Sequence, residues 1–244
     1  MAPRPDLADL LTRAAREINA HGDLDSTLSS VVRWLHAALP PGHHVALCLQ
    51  RRPGVVETVA VSDDLVHDLE AAQHEGGEGT CPVALAGREV ALADGVPGRS
   101  DWERYHPVAV RHGVTGQLSV RLDGSDRLWG ALTVYATEAA HDPATGAGNG
   151  SSAFSPATER LTTLFAAHAA IALERAHREE NLRIALATRR LIGQALGLAM
   201  ERFELDEDLA FRYLVRLSST ANVKLRDIAQ ELVDEANKKA SSGA

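Results

Sequence analysis

Apolar residues recur along this chain with two periods, and the switches between them mark out its elements. Leu7, Leu10, Leu11, Ala14, Ala15 and Ile18 follow the i, i+3, i+4, i+7 spacing of one helix face, which predicts an opening amphipathic helix ending near Gly22. Asp25 is placed as N-cap of a second helix with the stripe Leu28, Val31, Val32, Leu35 and Leu39, and Pro40-Pro41-Gly42 stops it. The period then drops to two. Val45, Leu47 and Leu49 alternate with smaller residues, and the β-branched run Val55 to Val61 ends at Ser62-Asp63, a predicted cap for a short helix carrying Leu65, Val66 and Leu69. The glycine-rich stretch from His74 to Cys81 reads as an ordered loop before a strand at Glu89 to Leu92. Trp102, Tyr105 and His106 mark a short helical stretch, and Gly116 to Leu122 turns through Asp123-Gly124 into Leu128 to Ala136 as a hairpin. Helices alternating with antiparallel strands predict an α+β domain with its helices on one face of the sheet.

Residues from Thr137 to Ser152 are mostly Ala, Gly, Asp, Ser and Asn, too poor in apolar surface to order themselves. From Pro156 the stripe Leu161, Leu164, Phe165, His168, Ile171 and Ala172 runs past Arg175 with no breaker before Gly193. A periodic segment of that length without internal caps predicts a connecting helix that pairs with a second copy, hence a homodimer. Beyond it the pattern is wholly helical. One stripe is Leu182, Ala185, Leu186, Ile192, Ala195, Ala199 and Met200; Asp206 opens a second helix with Ala210, Phe211, Leu214 and Leu217; Asn222 is set as cap of a third with Leu225, Ile228, Ala229, Leu232 and Val233. The domain plan is therefore 1–175 for the α+β domain with 137–153 as a disordered loop, 156–190 for a connecting helix shared by both parts, 176–237 for a three-helix bundle, and 238–244 for a flexible tail.

Composition narrows the class. At 244 residues and 45% hydrophobic, the chain can bury a sizeable core, and a formal net charge of −8 requires any polyanion contact to come from a local basic face. The longest apolar runs fall well short of the roughly 20 residues a membrane helix needs, and the start lacks the layout of a signal peptide, so a cytoplasmic protein with no membrane contact is expected. Two cysteines, Cys48 and Cys81, make no disulfide framework and are expected to be reduced. No GxSxG, Walker or dinucleotide fingerprint is present, so no enzyme activity and no cofactor are expected.

Thr188-Arg189-Arg190-Leu191-Ile192-Gly193-Gln194-Ala195, followed by Gly197 and Met200-Glu201-Arg202, resembles the first helix of an ANTAR domain. Ala210-Phe211, Leu214, Ser218 and the run Asn222 to Ala229 are similar to its second and third helices. Ala60-Val61-Ser62-Asp63-Asp64-Leu65 and Gly77-Glu78-Gly79-Thr80-Cys81 resemble the GAF domain that precedes ANTAR in many actinobacterial regulators. The resemblance covers nearly the whole chain. It implies a GAF-like antiparallel sheet with flanking helices, a long connecting helix and a three-helix ANTAR bundle. It also implies a transcription antiterminator, whose ANTAR dimer holds paired hairpins of a nascent leader RNA while the GAF domain, with an unidentified small-molecule ligand, sets that activity. Three positions depart from the family pattern: Leu196 where many relatives have lysine, Glu204 where glycine is usual, and Thr80 where proline is typical.

Charge gives the RNA reading its candidate residues. Between 176 and 237 nine basic side chains meet eleven carboxylates, but the acids gather at Glu201 to Asp208 and Glu231 to Glu235, leaving Arg183, Arg189, Arg190, Arg212, Arg216, Lys224 and Arg226 for one basic face. Arginines that grip phosphate in pairs of hydrogen bonds or stack on unpaired bases suit hairpin RNA, and Gln194 and Asn222 can read base edges. The plainer alternatives are a solvated surface, an exposed helical Gln194 and a capping Asn222. In the GAF-like part Cys81, Trp102, Tyr105, His106, Leu118, Val120, Leu132 and Val134 are the candidates for lining a ligand pocket, against the alternative of a filled core. The eleven histidines show no HxxxH or CxxC-type spacing, so no metal site is expected. Two rival functions stay open: a DNA-binding regulator using Ala210 to Val233 as a helix-turn-helix, and a GAF-type redox sensor using Cys81.

Overall fold

Asp23 decides where the second helix begins. Its carboxylate accepts the amide of Ser26 at 2.8 Å, so α2 (Leu24–Ala38) starts two residues before the expected Asp25 cap, which lies inside the first turn; α1 is Leu7–Ala20. The computed structural model describes residues 7–20, 23–52, 54–98, 101–125, 127–140 and 153–242. Most of the expected 137–152 excursion lies outside these; of the part described, Thr137 ends a strand and Glu138–Ala140 form a single 3-10 turn.

Five strands follow the expected pattern: β1 (His43–Arg52), β2 (Val55–Val61), β3 (Val90–Asp94), β4 (Val114–Asp123) and β5 (Leu128–Thr137). They pair antiparallel in the order β2-β1-β5-β4-β3, which puts β5 at the centre with both faces covered. Between them lie α3 (Leu65–Gly76), α4 (Thr80–Leu85) and α5 (Tyr105–Arg111). Ser62 and Asp63 do not cap α3. Ser62 Oγ accepts the Val45 amide and donates to Asp63 Oδ2, which also meets His44 Nδ1 at 2.7 Å, tying β1 to the end of β2. The glycine-rich stretch is not one loop, because His74 to Gly76 finish α3 and Thr80 and Cys81 open α4.

Helices cover both faces of the sheet, not one. Val45, Leu47 and Leu49, Leu118, Val120 and Leu122, and Leu132, Val134 and Ala136 point to the side of α1 and α2, joined there by Phe165, Ala166, Ala169 and Leu173 of α6 (Pro156–Phe203). The alternate positions, Ala46, Cys48, Ala131 and Tyr135, face α3, α4 and α5. Gly130 lets β5 lie this close to β1: a Cβ there would sit 1.9 Å from the Cys48 carbonyl oxygen.

The chain divides into two compact units, 1–176 and 177–244. In the second, the last part of α6 packs with α7 (Glu207–Ala221) and α8 (Leu225–Ser242) around Ala195, Ala199, Ala210, Leu214, Ile228 and Ala229. Asp206 caps α7, accepting the Leu209 amide at 2.7 Å. Asn222 does not start α8; at φ +53° it ends α7 in the left-handed conformation, its amide bonded to the Ser218 carbonyl. The expected flexible tail is mostly helix, since α8 continues to Ser242.

Glu204 holds φ +52°, the conformation that favours glycine. Glu204→Gly is therefore expected to stabilise the helical unit by about 1 kcal/mol, raising the urea midpoint read by far-UV circular dichroism, whereas Glu204→Ala gives no gain.

Candidate functional site

Each unit gathers its own chemistry. In the first, Cys48 reaches from β1 toward Cys81 in the opening turn of α4, Sγ to Sγ 3.2 Å, both thiols free and buried. Against them α3 sets Glu70 and His74, four residues apart and so on one helix face. Glu70 is only 1% exposed. Its Oε1 accepts a short hydrogen bond from the Tyr135 hydroxyl, and its Oε2 accepts one from Thr58 at 3.3 Å. Gln73 completes the frame: its Nε2 donates to the Tyr135 oxygen at 2.5 Å, while its Oε1 takes the Cys81 amide at 3.2 Å. Gly79, at φ +99°, is obligatory beside it, because a Cβ would lie 2.2 Å from Gln73 Oε1. Thr80, Ser119 and Thr133 continue the polar interior with hydroxyl contacts of 2.7 and 2.8 Å.

The electrostatics follow from burial and these neighbours. Burial disfavours the charged imidazole of His74, but the adjacent Cys48 sulfur and Glu70 carboxylate outweigh it and push the pKa up to about 9. The hydrogen bond with Cys81 lowers the Cys48 thiol; the same bond, with burial, raises Cys81. Burial and the Glu70 charge raise Tyr135, which keeps its proton for donation. His74 Nε2 lies 3.2 Å from Glu70 Oε2 and makes no well-aligned hydrogen bond among the described residues.

The eight residues expected to line a ligand pocket do not meet. Leu118, Val120, Leu132 and Val134 pack against α2 and α6 on one side of the sheet. Cys81, Trp102 and Tyr105 are buried on the other, and His106 binds the Pro97 carbonyl at 2.8 Å near the surface. The polar groups that do face the α3–α5 side, Glu70, Gln73, His74, Gln117 and Tyr135, were missed. The sequence signal for two of them is the i, i+4 pair Glu70 and His74, and His74 is not one of a scattered set. Among the described residues, fully buried Gln117 has no hydrogen-bond partner for either amide atom, and the Tyr105 hydroxyl has none.

In the second unit a groove of about 470 Å³ runs between α6 and α8, lined by Arg190, Leu191 and Gln194 on one helix and Arg226, Asp227 and Gln230 on the other. Arg189, Arg190, Arg216 and Lys224 are exposed and make no ion pair among the described residues. Others of the expected basic face are engaged: Arg183 with Glu180 at 2.8 Å, Arg226 with Asp227 at 3.1 Å, and Arg212 with the Asp208 carbonyl at 3.3 Å. Leu196 packs partly buried against the bundle core, so its side chain serves packing there.

Comparison with known proteins places both units. The family model of the GAF domain matches residues 6–173 and that of the ANTAR domain residues 180–233. The fold is similar to the GAF domain of a phosphoenolpyruvate-protein phosphotransferase from Coxiella burnetii, at TM-score 0.53 and 20% identity over 74% of this chain and 99% of that one. The GAF domain of the Acinetobacter phosphoenolpyruvate-protein phosphotransferase follows at TM-score 0.51 and 19% identity, over 70% and 94%. Comparison with the curated proteins finds no match.

Tyr135→Phe removes the hydroxyl that joins Glu70 to Gln73 and leaves two buried polar atoms without it. The variant is expected to lose about 1–3 kcal/mol of sensor-unit stability, measured as a lower urea midpoint in tryptophan fluorescence, since Trp34, Trp102 and Trp129 all lie in the first unit.

Proposed function

The chain belongs to the GAF domain family and carries a C-terminal ANTAR domain, and on that premise we propose that it is a signal-responsive, RNA-binding transcription antiterminator without enzymatic activity. ANTAR domains bind RNA in antitermination, and in this reading the target is a pair of hairpins in nascent leader RNA, held by a homodimer in the cytoplasm. The observation that carries it is the groove that brings Arg190 and Gln194 of α6 beside Arg226 of α8, with Arg189 and Lys224 free of ion pairs. Guanidinium groups flanking an amide suit phosphate and base-edge contact at one place. Arg183, Arg212 and Arg216 add peripheral charge to the same domain. Asn222 serves as the cap of α7.

Dimerisation is supported by exposed apolar pairs on α6: Leu164 and Ile171, seven residues apart in the first unit, and Leu182 and Leu186, four apart in the second, each pair on one side of the helix, with Ile171 65% exposed. The sensor input would act on this helix, which is shared by both units. No helix among the described residues is long and apolar enough to cross a membrane.

Titration with a two-hairpin leader RNA at several salt concentrations tests the reading. Tighter binding than to a scrambled RNA is expected, weakening steeply with salt, and equal binding to both would end the proposal. Arg190→Ala and Arg226→Ala are each expected to weaken binding about tenfold, or about 1.4 kcal/mol, while Asn222→Gly, which keeps the left-handed cap, leaves affinity within about twofold. Ile171→Glu with Leu182→Glu is expected to shift the protein to monomer in sedimentation equilibrium.

A further inference from the structure

We propose that Cys48, Glu70, His74 and Cys81 form a closed four-ligand site for one zinc-class divalent ion in the GAF domain. One donor atom of each lies within 4.8 Å of all the others, although the residues come from three separate elements, β1, α3 and α4. Zinc bonds of about 2.3 Å to sulfur and 2.0–2.1 Å to nitrogen or oxygen place tetrahedral ligand atoms roughly 3.3–3.8 Å apart. The Sγ–Sγ separation of 3.2 Å and the Nε2–Oε2 separation of 3.2 Å need only a small outward adjustment to meet that.

The donor set itself selects the metal. Two thiolates favour a borderline-soft ion over magnesium or calcium, and imidazole and carboxylate complete a set that zinc accepts. With two thiolates and a carboxylate, the loaded centre carries the same net charge as a Cys3His zinc site. Four protein ligands leave no open position, so the site holds structure or reports occupancy and does not activate water.

Three features around the donors point the same way. Among the described residues Glu70 is buried with no Lys or Arg ion pair and has His74 beside it, and a divalent ion would neutralise it there. His74 Nε2 is buried 3.2 Å from Glu70 Oε2 and has no well-aligned hydrogen-bond partner among the described residues. The outer atoms are held as metal ligands require: Tyr135 fixes Glu70, and Gln73 fixes both Tyr135 and the Cys81 backbone. A Cys48–Cys81 disulfide would account for the two sulfurs and for neither the carboxylate nor the imidazole. Binding displaces the thiol protons, and that of His74 when it is charged, to solvent. The ion would pin α3 and α4 to β1. This inference is independent of RNA binding.

The full chain, reduced and stripped with a chelator, is titrated with zinc alone and then with cobalt alone. One ion per chain is expected, with the intense visible bands of tetrahedral cobalt and a thiolate-to-cobalt charge-transfer band in the near ultraviolet. Cys48→Ala, Cys81→Ala and His74→Ala are each expected to abolish stoichiometric binding, with tryptophan fluorescence confirming the fold. Tyr135→Phe, which leaves every ligand in place, is expected to weaken binding about 10–100-fold. Four results overturn the site: no stoichiometric ion, an octahedral cobalt spectrum without the thiolate band, binding indifferent to the cysteine and histidine variants, or a Cys48–Cys81 disulfide that forms in air equally fast with and without zinc.

Discussion

A carboxylate removed from water governs one whole side of the GAF domain. Burying an unpaired charge costs several kcal/mol even after relaxation, so Glu70 requires partners, and the chain supplies two donors from strands, Tyr135 and Thr58, with the His74 ring 3.2 Å away on its own helix. Each donor then imposes its own requirement. Tyr135 is positioned by Gln73, Gln73 leaves no room for a side chain at Gly79, and the amide it accepts from Cys81 fixes where α4 begins. The left-handed glycine and the start of the short helix are thus joined to the buried carboxylate through Tyr135 and Gln73.

How much of this was legible depends on the length of pattern available. Strands β1, β4 and β5 and the helical stripes were readable because each repeats its period several times, and Gly42, Asp206 and the prolines punctuate them. The buried polar cluster was not, for a reason of period. Leu118, Val120, Leu132 and Val134 were chosen as the apolar phase of their strands, and the apolar phase faces the closely packed helices, whereas the opposite phase holds Gln117, Ser119, Thr133 and Tyr135. In a sheet covered on both sides the more informative face is the one with polar side chains that have no water to meet. Cys48 and Cys81 stand 33 positions apart and Glu70 and His74 only four, so only a tertiary contact between β1, α3 and α4 makes one cluster of them.

In the helical unit, departures from family pattern mark where this chain solves the bundle differently. Leu196 in place of lysine adds partly buried surface to a core in which Ala195, Ala199, Ala210 and Ala229 sit beside Leu214 and Ile228, the small residues allowing close approach of helices while contributing little area each. Glu204 in place of glycine keeps the left-handed turn at a cost that asparagine at 222, with its short polar side chain, incurs less. The charge pattern along the chain located the arginines but not their engagement. Arg183 and Arg226 have carboxylates within one helical turn, and such exposed pairs contribute little to stability. They cost little to break, so neither guanidinium is locked to its carboxylate.

A sensor and an output need an element that both can bias, and spatial adjacency alone does not supply one. Strand β5 meets the physical requirement within the first unit. Tyr135 on one face bonds Glu70, while Leu132 and Val134 on the other belong to the same core as Phe165 and Leu173 of α6. The backbone between them is paired on both sides, to β1 and to β4, and Gly130 seats it against the Cys48 carbonyl without a side chain to absorb displacement. Close-packed interiors transmit strain and do not dissipate it. Within the first unit, a change at Glu70 or Cys48 would therefore be felt by the strand that packs against the start of α6.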